Sequence, residues 1–516
     1  MILNRAEYRS KVLGCWLGKN IGGTLGAPFE WKRQVNNVQF YTQDLQGEPL
    51  PNDDLDIQLL WLVALEEQGL ELDGQTLGEY FLLYVTPHWA EYGMAKINMR
   101  SGLPAPLSGS YHNDYKDSCG AFIRSEIWAC IAPGCPAVAA AYAYEDAIID
   151  HGDGEGTFAE VFVAALESAA FVLNDIPQLL EIGLSYIPAD CGVAGAVRNA
   201  IASYEAGLSW REARDAMLEV YRGSTTAGDP ANTSPEDREK GFHEGKQGWD
   251  APSNIGIVVL GLLYGEGDFG KTLCTTVNLG EDTDCTGATV GSLYGIMHGA
   301  EAIPEKWLTP VGRKIKTACL NLGELGYFGN QVPATVDELT DRTERIARQV
   351  IARRQLPVTL AEHAPTDLSD LDPQTLYAPK HGGVLRNLGQ PVYRFDFFEV
   401  AVDYGCAPTI RDGVPKTITL TIRNTYKVME NLNVHWYLPT GWRVSPSADA
   451  KVFLPNAYVG TPEASVSFTL EADAITRPSN RCVVELSVEG RPTALTVPII
   501  LLNGNSEPPA CPPAEE

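Results

Sequence analysis

Residues 52–72 read NDDLDIQLLWLVALEEQGLEL, and this stretch indicates how the larger part of the chain folds. Asn52 is a good helix N-cap, and Asp53, Asp54 and Asp56 fall in the first turn, where carboxylates meet the positive end of the helix dipole. The residues that follow are apolar nearly all round for two turns, which predicts a helix in the centre of a helical domain. An ordinary solvated N-cap would not require three aspartates at the start of a buried helix, so these residues need another explanation.

A second acidic cluster, Glu281-Asp282-Thr283-Asp284, stands at the head of another long apolar stretch. Four or five carboxylates that converged in one cavity would repel one another strongly unless cations lay between them. Clusters of oxygen ligands suit Mg²⁺, Mn²⁺ or Ca²⁺. A two-metal site is therefore the leading hypothesis, and two ordinary acidic N-caps on separate helices are the alternative. Residues 282–286 also match the D-x-D-x-T pattern of aspartyl-phosphate phosphotransferases, but that pattern requires a preceding strand, and here a helical stretch precedes it.

Two ladders of glycines recur at every fourth residue. One comprises Gly14, Gly18, Gly22 and Gly26, and the other comprises Gly287, Gly291, Gly295 and Gly299. Each glycine inside a helix costs about 1 kcal/mol relative to alanine, and glycines stacked on one face allow another backbone to approach closely. The ladders predict tight helix packing in the core, which would also bring the surroundings of the two acidic clusters together.

Composition excludes some classes of partner. The 516 residues carry a formal net charge of −27, which argues against nucleic acid or an anionic membrane as a partner. No apolar run approaches the length of a membrane span, and the N-terminus lacks the apolar region of a secretory signal. The eleven cysteines form no paired C-x-x-C ligand set, so we expect reduced cysteines in a cytoplasmic protein.

The texture of the chain changes near residue 354. Residues 6–353 are helical in pattern, with predicted helices at 53–67, 75–85, 157–173, 255–264 and 286–300. From about residue 391 the pattern is β, with predicted strands at 393–403, 417–423, 431–438, 465–472, 481–488 and 494–502. We therefore predict a helical domain over 1–355, a linker over 356–390, an antiparallel β-sandwich over 391–505 and a disordered tail over 506–516.

A third polar segment lies between the acidic clusters. Residues 146–156 read DAIIDHGDGEG, and a predicted helix follows them. Glycine-rich turns before helices can let a ligand touch the backbone. His151 is a candidate contact for a ribose or a phosphate, with a purely structural hydrogen bond as the alternative.

Four segments in order give the chain a resemblance to the ADP-ribosylglycohydrolase family of all-helical hydrolases. They are residues 14–30, from the first glycine ladder to Gly26-Ala27-Pro28-Phe29-Glu30; Asn52-Asp53-Asp54; residues 146–156; and residues 280–291 followed by AIPEKW at 302–307. The match covers about residues 8–350. The fold class that this implies is multidomain, with an all-α orthogonal helical domain of that family followed by a C-terminal antiparallel β-sandwich.

The resemblance implies a binuclear centre of two Mg²⁺ or Mn²⁺ ions that grips a ribose diol and a water molecule. Its metal ligands would be Asn52, Asp53, Asp54, Asp282 and Asp284. Glu30 matches a glutamate on a mobile loop of the family, so Glu30 and Asp284 are the candidate catalytic residues. His151, Gly152, Asp153 and Gly154 match the region that contacts ribose and diphosphate.

Three positions depart from the pattern of the family. Asn52 replaces a common Thr or Ser, Cys285 replaces a common ligating Thr, and Gly23 replaces a common Asp. Thiols are poor ligands for Mg²⁺, so either Cys285 stays away from the metals or Mn²⁺ is favoured.

The resemblance implies an enzyme that hydrolyses a glycosidic bond at the anomeric carbon of ADP-ribose or a related ribosyl group, with an ADP-ribosylated substrate as its partner. The alternatives are a hydrolase of another N- or O-glycoside and a weakly active ADP-ribose-binding protein. Residues 438–444, LPTGWRV, resemble a turn of immunoglobulin-like modules that are attached to glycoside hydrolases, which favours the first alternative. The sequence leaves homo-oligomerisation open.

Overall fold

The computed structural model describes residues 1–30, 32, 34–221, 249–325, 331–379, 383–458 and 460–506. It divides into two compact units, the first formed by Met1–Gly93 with Asn113–Arg386 and the second by Met94–His112 with the chain from Asn387 onward. The domain boundaries expected from the sequence, 1–355 and 391–505, remain a proposal.

The first unit is helical. Its helices are α1 Arg5–Gly26, α2 Asp53–Gln68, α3 Gly74–Tyr84, α6 Glu126–Ile131, α7 Pro136–Ala147, α8 Glu155–Ala170, α9 Ile176–Ser185, α10 Gly192–Glu205, α11 Trp210–Tyr221, α12 Ala251–Tyr264, α13 Phe269–Asn278, α14 Thr283–His298, α15 Glu305–Val311, α16 Leu322–Leu325 and α17 Val336–Arg354. Helix α4, Ala90–Arg100, begins in this unit and ends in the second, which also holds α5, Leu107–Ser110. Two short strands, β1 Ile2–Asn4 and β2 Thr359–Ala361, form a parallel pair that the sequence pattern did not predict.

Helices α1 and α14 pack with their backbones almost in contact. A Cβ atom added to Gly18 would lie 1.9 Å from the carbonyl oxygen of Gly291, and one added to Gly22 would lie 1.9 Å from that of Gly287. No side chain fits between the two helices at these levels. The glycine ladders therefore have the packing role that the sequence predicts, and they fix α14 against α1.

The starts of α2 and α14 both pack against the last turn of α1. A Cβ atom added to Gly23 would lie 2.5 Å from Asn52 Nδ2, and one added to Gly26 would lie 2.1 Å from the carbonyl oxygen of Thr283. Asn52 caps α2, and its Oδ1 accepts a hydrogen bond of 2.9 Å from the backbone N–H of Asp54. Asp282 precedes α14 without a capping hydrogen bond from its side chain. Thr283, the first residue of α14, donates from its hydroxyl to the carbonyl of Gly26 at the end of α1.

The second unit is a sandwich of two five-stranded sheets. The strands are β3 Val392–Arg394, β4 Phe398–Asp403, β5 Thr409–Ile410, β6 Lys416–Asn424, β7 Glu430–Tyr437, β8 Trp442–Ser445, β9 Asp449–Leu454, β10 Glu463–Ala472, β11 Ser479–Val488 and β12 Ala494–Asn503. Their order is β3-β4-β6-β10-β8 in one sheet and β5-β12-β11-β7-β9 in the other. All paired strands are antiparallel except β5 and β12, which run parallel.

The core of this sandwich also includes residues that lie far away in the sequence. Leu103 and Leu107 are buried in the same apolar cluster as Ile418, Leu420 and Val484. Trp436 is buried in that cluster, and Trp442, in the LPTGWRV turn, packs against it. Trp436 is thus a core residue, and Trp442 is a partly buried residue at the edge of the core.

The expectation that every cysteine is reduced is wrong for Cys406, which is disulfide-bonded. Nine other described cysteines are not disulfide-bonded: Cys15, Cys119, Cys130, Cys135, Cys191, Cys274, Cys285, Cys319 and Cys482. Sequence spacing could not single out Cys406, because a disulfide depends on which cysteines the fold brings together.

Candidate metal centre

The two acidic clusters meet on one cavity of the first unit, with a volume of about 500 Å³. Asn52 and Asp53 reach it from the start of α2, and Asp282, Asp284 and Cys285 reach it from the start of α14. The lining also includes Glu30, Trp89, Glu91, Tyr92, Ser118, Cys119, Gly120, Trp249 and Cys319.

Three groups of side chains have donor atoms close enough to share a cation. They are Glu30 with Asp282 and Asp284, Asp54 with Asp284 and Cys285, and Cys119 with Asp282 and Cys285, and within each group the donor atoms lie within 4.8 Å of one another. The structure thus brings together Glu30, Asp54, Asp282 and Asp284, while Asn52 and Asp53 lie on the same cavity wall.

Several carboxylate oxygens in these groups fit a bound cation. Asp282 Oδ1 and Asp284 Oδ1 are buried and accept no hydrogen bond from the residues that the structure describes, and Asp54 Oδ2 faces Lys19 Nζ at 3.7 Å without a hydrogen bond. A buried carboxylate oxygen without a partner is costly, and a divalent cation is the usual compensation. The carboxylate set therefore fits the metals that the sequence predicts.

The pKa values of the cavity carboxylates also indicate a site that binds cations. Burial, followed by the charges of Asp284 and Asp53, raises the pKa of Glu30 to about 9. Burial and the charge of Asp284 raise the pKa of Asp53 to about 6. Burial also raises the pKa of Asp54 and of Asp282 well above the ordinary value for aspartate. These carboxylates resist ionisation together, as expected for a site that needs positive charge.

The buried Lys19 ammonium lies beside the Asp54 carboxylate, outside the lining of the cavity. Lys19 Nζ lies 3.7 Å from Asp54 Oδ2 and 2.6 Å from Glu126 Oε1 in a fully buried network. Burial by itself would lower the pKa of Lys19, but the charges of Glu126 and Asp54 raise it. Lys19 thus holds Asp54 in place, and it does not line the cavity.

The third aspartate of α2 has a structural role. Asp56 Oδ2 accepts hydrogen bonds of 2.7 Å from the backbone N–H groups of Ala318 and Cys319, which line the cavity wall. Asp53 accepts a bond of 3.1 Å from the Tyr92 hydroxyl. Of the three aspartates, Asp53 lines the cavity, Asp54 belongs to a candidate ligand group, and Asp56 anchors the segment at Ala318 and Cys319.

The residues predicted to contact ribose and diphosphate are not among the cavity lining. His151 is fully buried, with its Nδ1 2.8 Å from Asp150 Oδ1 and its Nε2 3.1 Å from Ser118 Oγ. Asp153 is exposed and pairs with Lys116 at 2.8 Å. Gly152 and Gly154 are buried beside them. A substrate-binding role for residues 151–154 stays a prediction.

Two cavity residues with ionisable side chains, Cys119 and Glu91, were not predicted from the sequence. Cys119 donates from Sγ to Asp282 Oδ2 at 2.8 Å, across 163 residues of sequence. Glu91 lies on the cavity wall, where burial raises its pKa to about 7. Neither residue belongs to an acidic run or a periodic pattern, so no sequence signal marked them.

A family model described as ADP-ribosylglycohydrolase matches residues 4–349. The chain belongs to the ADP-ribosylglycohydrolase family. Membership supports a glycosidic hydrolase, and it agrees with the fold of the first unit and with the resemblance seen in the four sequence segments.

Two solved structures are similar to parts of this family member. A chain from an "ADP-ribosylglycohydrolase-related protein complex" is 20% identical, with a TM-score of 0.41, over 66% of this chain and 99% of that one. The FixG-related protein from Vibrio parahaemolyticus is 13% identical, with a TM-score of 0.17, over 21% of this chain and 98% of that one. No curated protein matches the chain. In the part of this glycohydrolase-family chain that the structure describes, no helix has the length and apolar character of a membrane span.

Proposed function

We propose that this member of the ADP-ribosylglycohydrolase family is a binuclear-metal-dependent hydrolase that cleaves a glycosidic bond at the anomeric carbon of ADP-ribose or a related ribosyl group. The observation that carries the proposal is the convergence of Glu30, Asp53, Asp282 and Asp284 on one cavity. Carboxylates from two helix starts and a loop meet there, and the described lining of the cavity contains no Lys, Arg or His to balance them.

The carboxylates divide into distinct roles in this proposal. Asn52, Asp53, Asp54, Asp282 and Asp284 would hold two Mg²⁺ or Mn²⁺ ions. When bound, these ions polarise ligand oxygens and lower the pKa of a coordinated water. Glu30, with a pKa near 9 in the absence of cations, or Asp284 would accept the proton of the attacking water as a general base.

A second candidate function is supported by the charge of the cavity. Among the described residues, its lining includes Glu30, Asp53, Glu91, Asp282 and Asp284 but no Lys, Arg or His. A diphosphate needs positive charge or free N–H groups, whereas an uncharged sugar does not. Hydrolysis of another N- or O-glycoside is therefore the second candidate.

The deciding experiment compares full-length protein with the Asp53→Asn and Asp284→Asn variants on ADP-ribosylarginine, ADP-ribosylserine and a panel of aryl glycosides. We expect turnover that requires Mg²⁺ or Mn²⁺, and a loss of at least about 100-fold in kcat in both variants because a ligand position is removed. Asp370→Asn, at an exposed aspartate outside the cavity lining, is the matched control and should keep full activity.

Each outcome separates the candidates. Metal-dependent turnover of ADP-ribosyl substrates supports the first function, and turnover of simple glycosides alone supports the second. ADP-ribose binding without turnover of any substrate would favour a binding protein. Undiminished activity in both Asp variants would overturn the metal-dependent mechanism.

A further inference from the structure

Two thiols lie within the carboxylate centre and come from different parts of the chain. Cys285 follows Asp284 in the first turn of α14, and Cys119 lies in the segment before α6. Both line the cavity, with exposed fractions of 6% for Cys285 and 5% for Cys119. Their sulfur atoms face carboxylates: Cys119 Sγ is 2.8 Å from Asp282 Oδ2, and Cys285 Sγ is 3.6 Å from Asp54 Oδ1.

These contacts define a ligand group with two thiols, whereas the group of Asp54, Asp284 and Cys285 has one. Donor atoms of Cys119, Asp282 and Cys285 lie within 4.8 Å of one another, whereas the group of Glu30, Asp282 and Asp284 offers oxygen only. Asp282 belongs to both groups. Its side chain is 3% exposed and lines the cavity, and its Oδ1 has no hydrogen-bond partner among the described residues.

Burial alone does not explain this arrangement of cysteines. Cys15 and Cys130 are also buried and contact each other, but neither belongs to a candidate ligand group among the described residues. Cys319 lines the same cavity and likewise belongs to no such group there. Only Cys119 and Cys285, of the cysteines that the structure describes, combine a cavity position with carboxylate neighbours that could share a cation.

The donor set favours a particular class of metal. Thiolates bind Mg²⁺ and Ca²⁺ poorly, whereas Zn²⁺ accepts sulfur and carboxylate oxygen together in a tetrahedral site. Three protein ligands and one open position are the usual composition of a catalytic zinc site.

We propose that Cys119, Asp282 and Cys285 form a thiolate-bearing subsite that binds Zn²⁺ or another thiophilic divalent cation in preference to Mg²⁺. The inference deepens the proposed function and rests on it. Each thiol loses its proton to solvent as its metal–sulfur bond forms, so the bound cation is held by two thiolates and one carboxylate. The oxygen-only group of Glu30, Asp282 and Asp284 is left for a harder cation such as Mg²⁺ or Mn²⁺.

The test is a titration of the metal-stripped full-length protein with Co²⁺, under argon with a phosphine reductant. Co²⁺ occupies zinc sites and gives a sulfur-to-metal charge-transfer absorption only when thiolates coordinate it. We expect this absorption in the native protein, a weaker absorption in Cys119→Ser and in Cys285→Ser, its loss in the double variant, and its full retention in the matched control Cys319→Ser. Equilibrium dialysis against Zn²⁺ with excess Mg²⁺ should show an affinity for Zn²⁺ at least about 10-fold weaker in the first two variants than in the native protein.

The outcomes distinguish this inference from the proposed function. If the native protein binds Co²⁺ without the charge-transfer absorption, and Asp284→Asn loses that binding, the thiolate subsite is wrong and the carboxylate centre stands. If the absorption keeps its full intensity in both single variants, or persists in the double variant, the assignment of these thiols is wrong. If the native protein binds none of Co²⁺, Zn²⁺, Mg²⁺ and Mn²⁺, both the subsite and the metal-dependent function are overturned. The titration of the native protein does not depend on any variant folding correctly.

Discussion

The Glu30 carboxylate lies among the acidic residues that start two helices. Burial and the charges of Asp284 and Asp53 raise its pKa from the ordinary 4.5 to about 9. Between these two pH values the folded chain holds a proton on Glu30 that the unfolded chain has released. The folded state therefore binds more protons, and its free energy of unfolding falls as the pH rises through this range.

We expect Glu30→Gln to stabilise the metal-free protein at about pH 8 by at least about 1 kcal/mol and to have little effect at about pH 5. Glutamine keeps the shape of the side chain and removes the charge. The measurement is the free energy of unfolding of metal-stripped protein by urea denaturation at both pH values. Saturating Mn²⁺ should abolish the advantage of the variant, because the cation then compensates the charge of Glu30.

The exposed Glu79 on α3 provides the control, since Glu79→Gln removes one carboxylate without touching the cavity. A gain at pH 8 in both variants would mean that overall net charge, rather than the crowded cavity, sets the stability. The same pH dependence for Glu30→Gln and native protein would contradict the raised pKa of Glu30 and the mutual repulsion of the cavity carboxylates.

At the scale of elements, the contact between α1 and α14 determines where the acidic residues meet. Four residues per step on each helix keep Gly14, Gly18 and Gly22 on one face, opposite Gly295, Gly291 and Gly287. This spacing lets the two backbones come close enough that the end of α1 supports the start of α14. The position of Asp282 and Asp284 relative to Asn52 and Asp53 therefore depends on residues without side chains.

We expect Gly18→Ala to destabilise the protein by at least about 2 kcal/mol, although alanine is a better helix former than glycine by about 1 kcal/mol. The new methyl group would lie 1.9 Å from the carbonyl oxygen of Gly291 and 2.3 Å from its carbonyl carbon, so the helices must separate. Urea denaturation measures the loss of stability. Metal affinity, measured by calorimetry, should fall as well because α14 carries two of the carboxylates.

Gly323→Ala is the matched control on a helical glycine, since the atom nearest to its added Cβ is the Asn321 side-chain oxygen at 3.9 Å. This variant should be as stable as the native protein or slightly more stable. Equal effects of the two substitutions would show that helix propensity, not the approach of α1 and α14, dominates at Gly18.

At the scale of the whole molecule, the two units are not separated at a single position in the sequence. Met94–His112 belongs to the second unit, although it lies between two parts of the first in sequence. Within that unit, the segment supplies Leu103 and Leu107 to the core of the sandwich, and the Ser479 hydroxyl donates to the carbonyl of Ser101 at 2.7 Å.

We expect Leu103→Ala to loosen the β-sandwich at a cost of about 2–5 kcal/mol, because Leu103 is 1% exposed and its truncation leaves a cavity among strands. Hydrogen exchange followed by mass spectrometry should show faster exchange in β4, β6 and β11. Leu83→Ala, at a leucine of the first unit that is 57% exposed, should leave exchange in these strands unchanged. Unchanged exchange in Leu103→Ala would contradict the assignment of this segment to the sandwich core.

The sequence by itself determined the class of each region. The apolar pattern after Asn52 and before His298 predicted α2 and α14, and the aspartates at their starts predicted the carboxylate part of the centre. The alternating residues after 391 predicted the strands β6, β7, β10, β11 and β12. These signals are local, because helix caps and hydrophobic periodicity depend on residues that are close together in the sequence. The glycine ladders also predicted one tertiary contact, because glycines at every fourth residue of a helix let another backbone approach closely.

Only the tertiary structure decided which distant residues meet the carboxylates. Cys119 joins Asp282 across 163 residues, and Lys19 lies between Asp54 and Glu126, which is 107 residues away. The same holds for Asp56, whose partners at Ala318 and Cys319 lie more than 260 residues along the chain. A lone cysteine or lysine carries no periodic signal, and its role depends on the charge and donors around it. Those neighbours exist only once helices from separate parts of the chain have packed together.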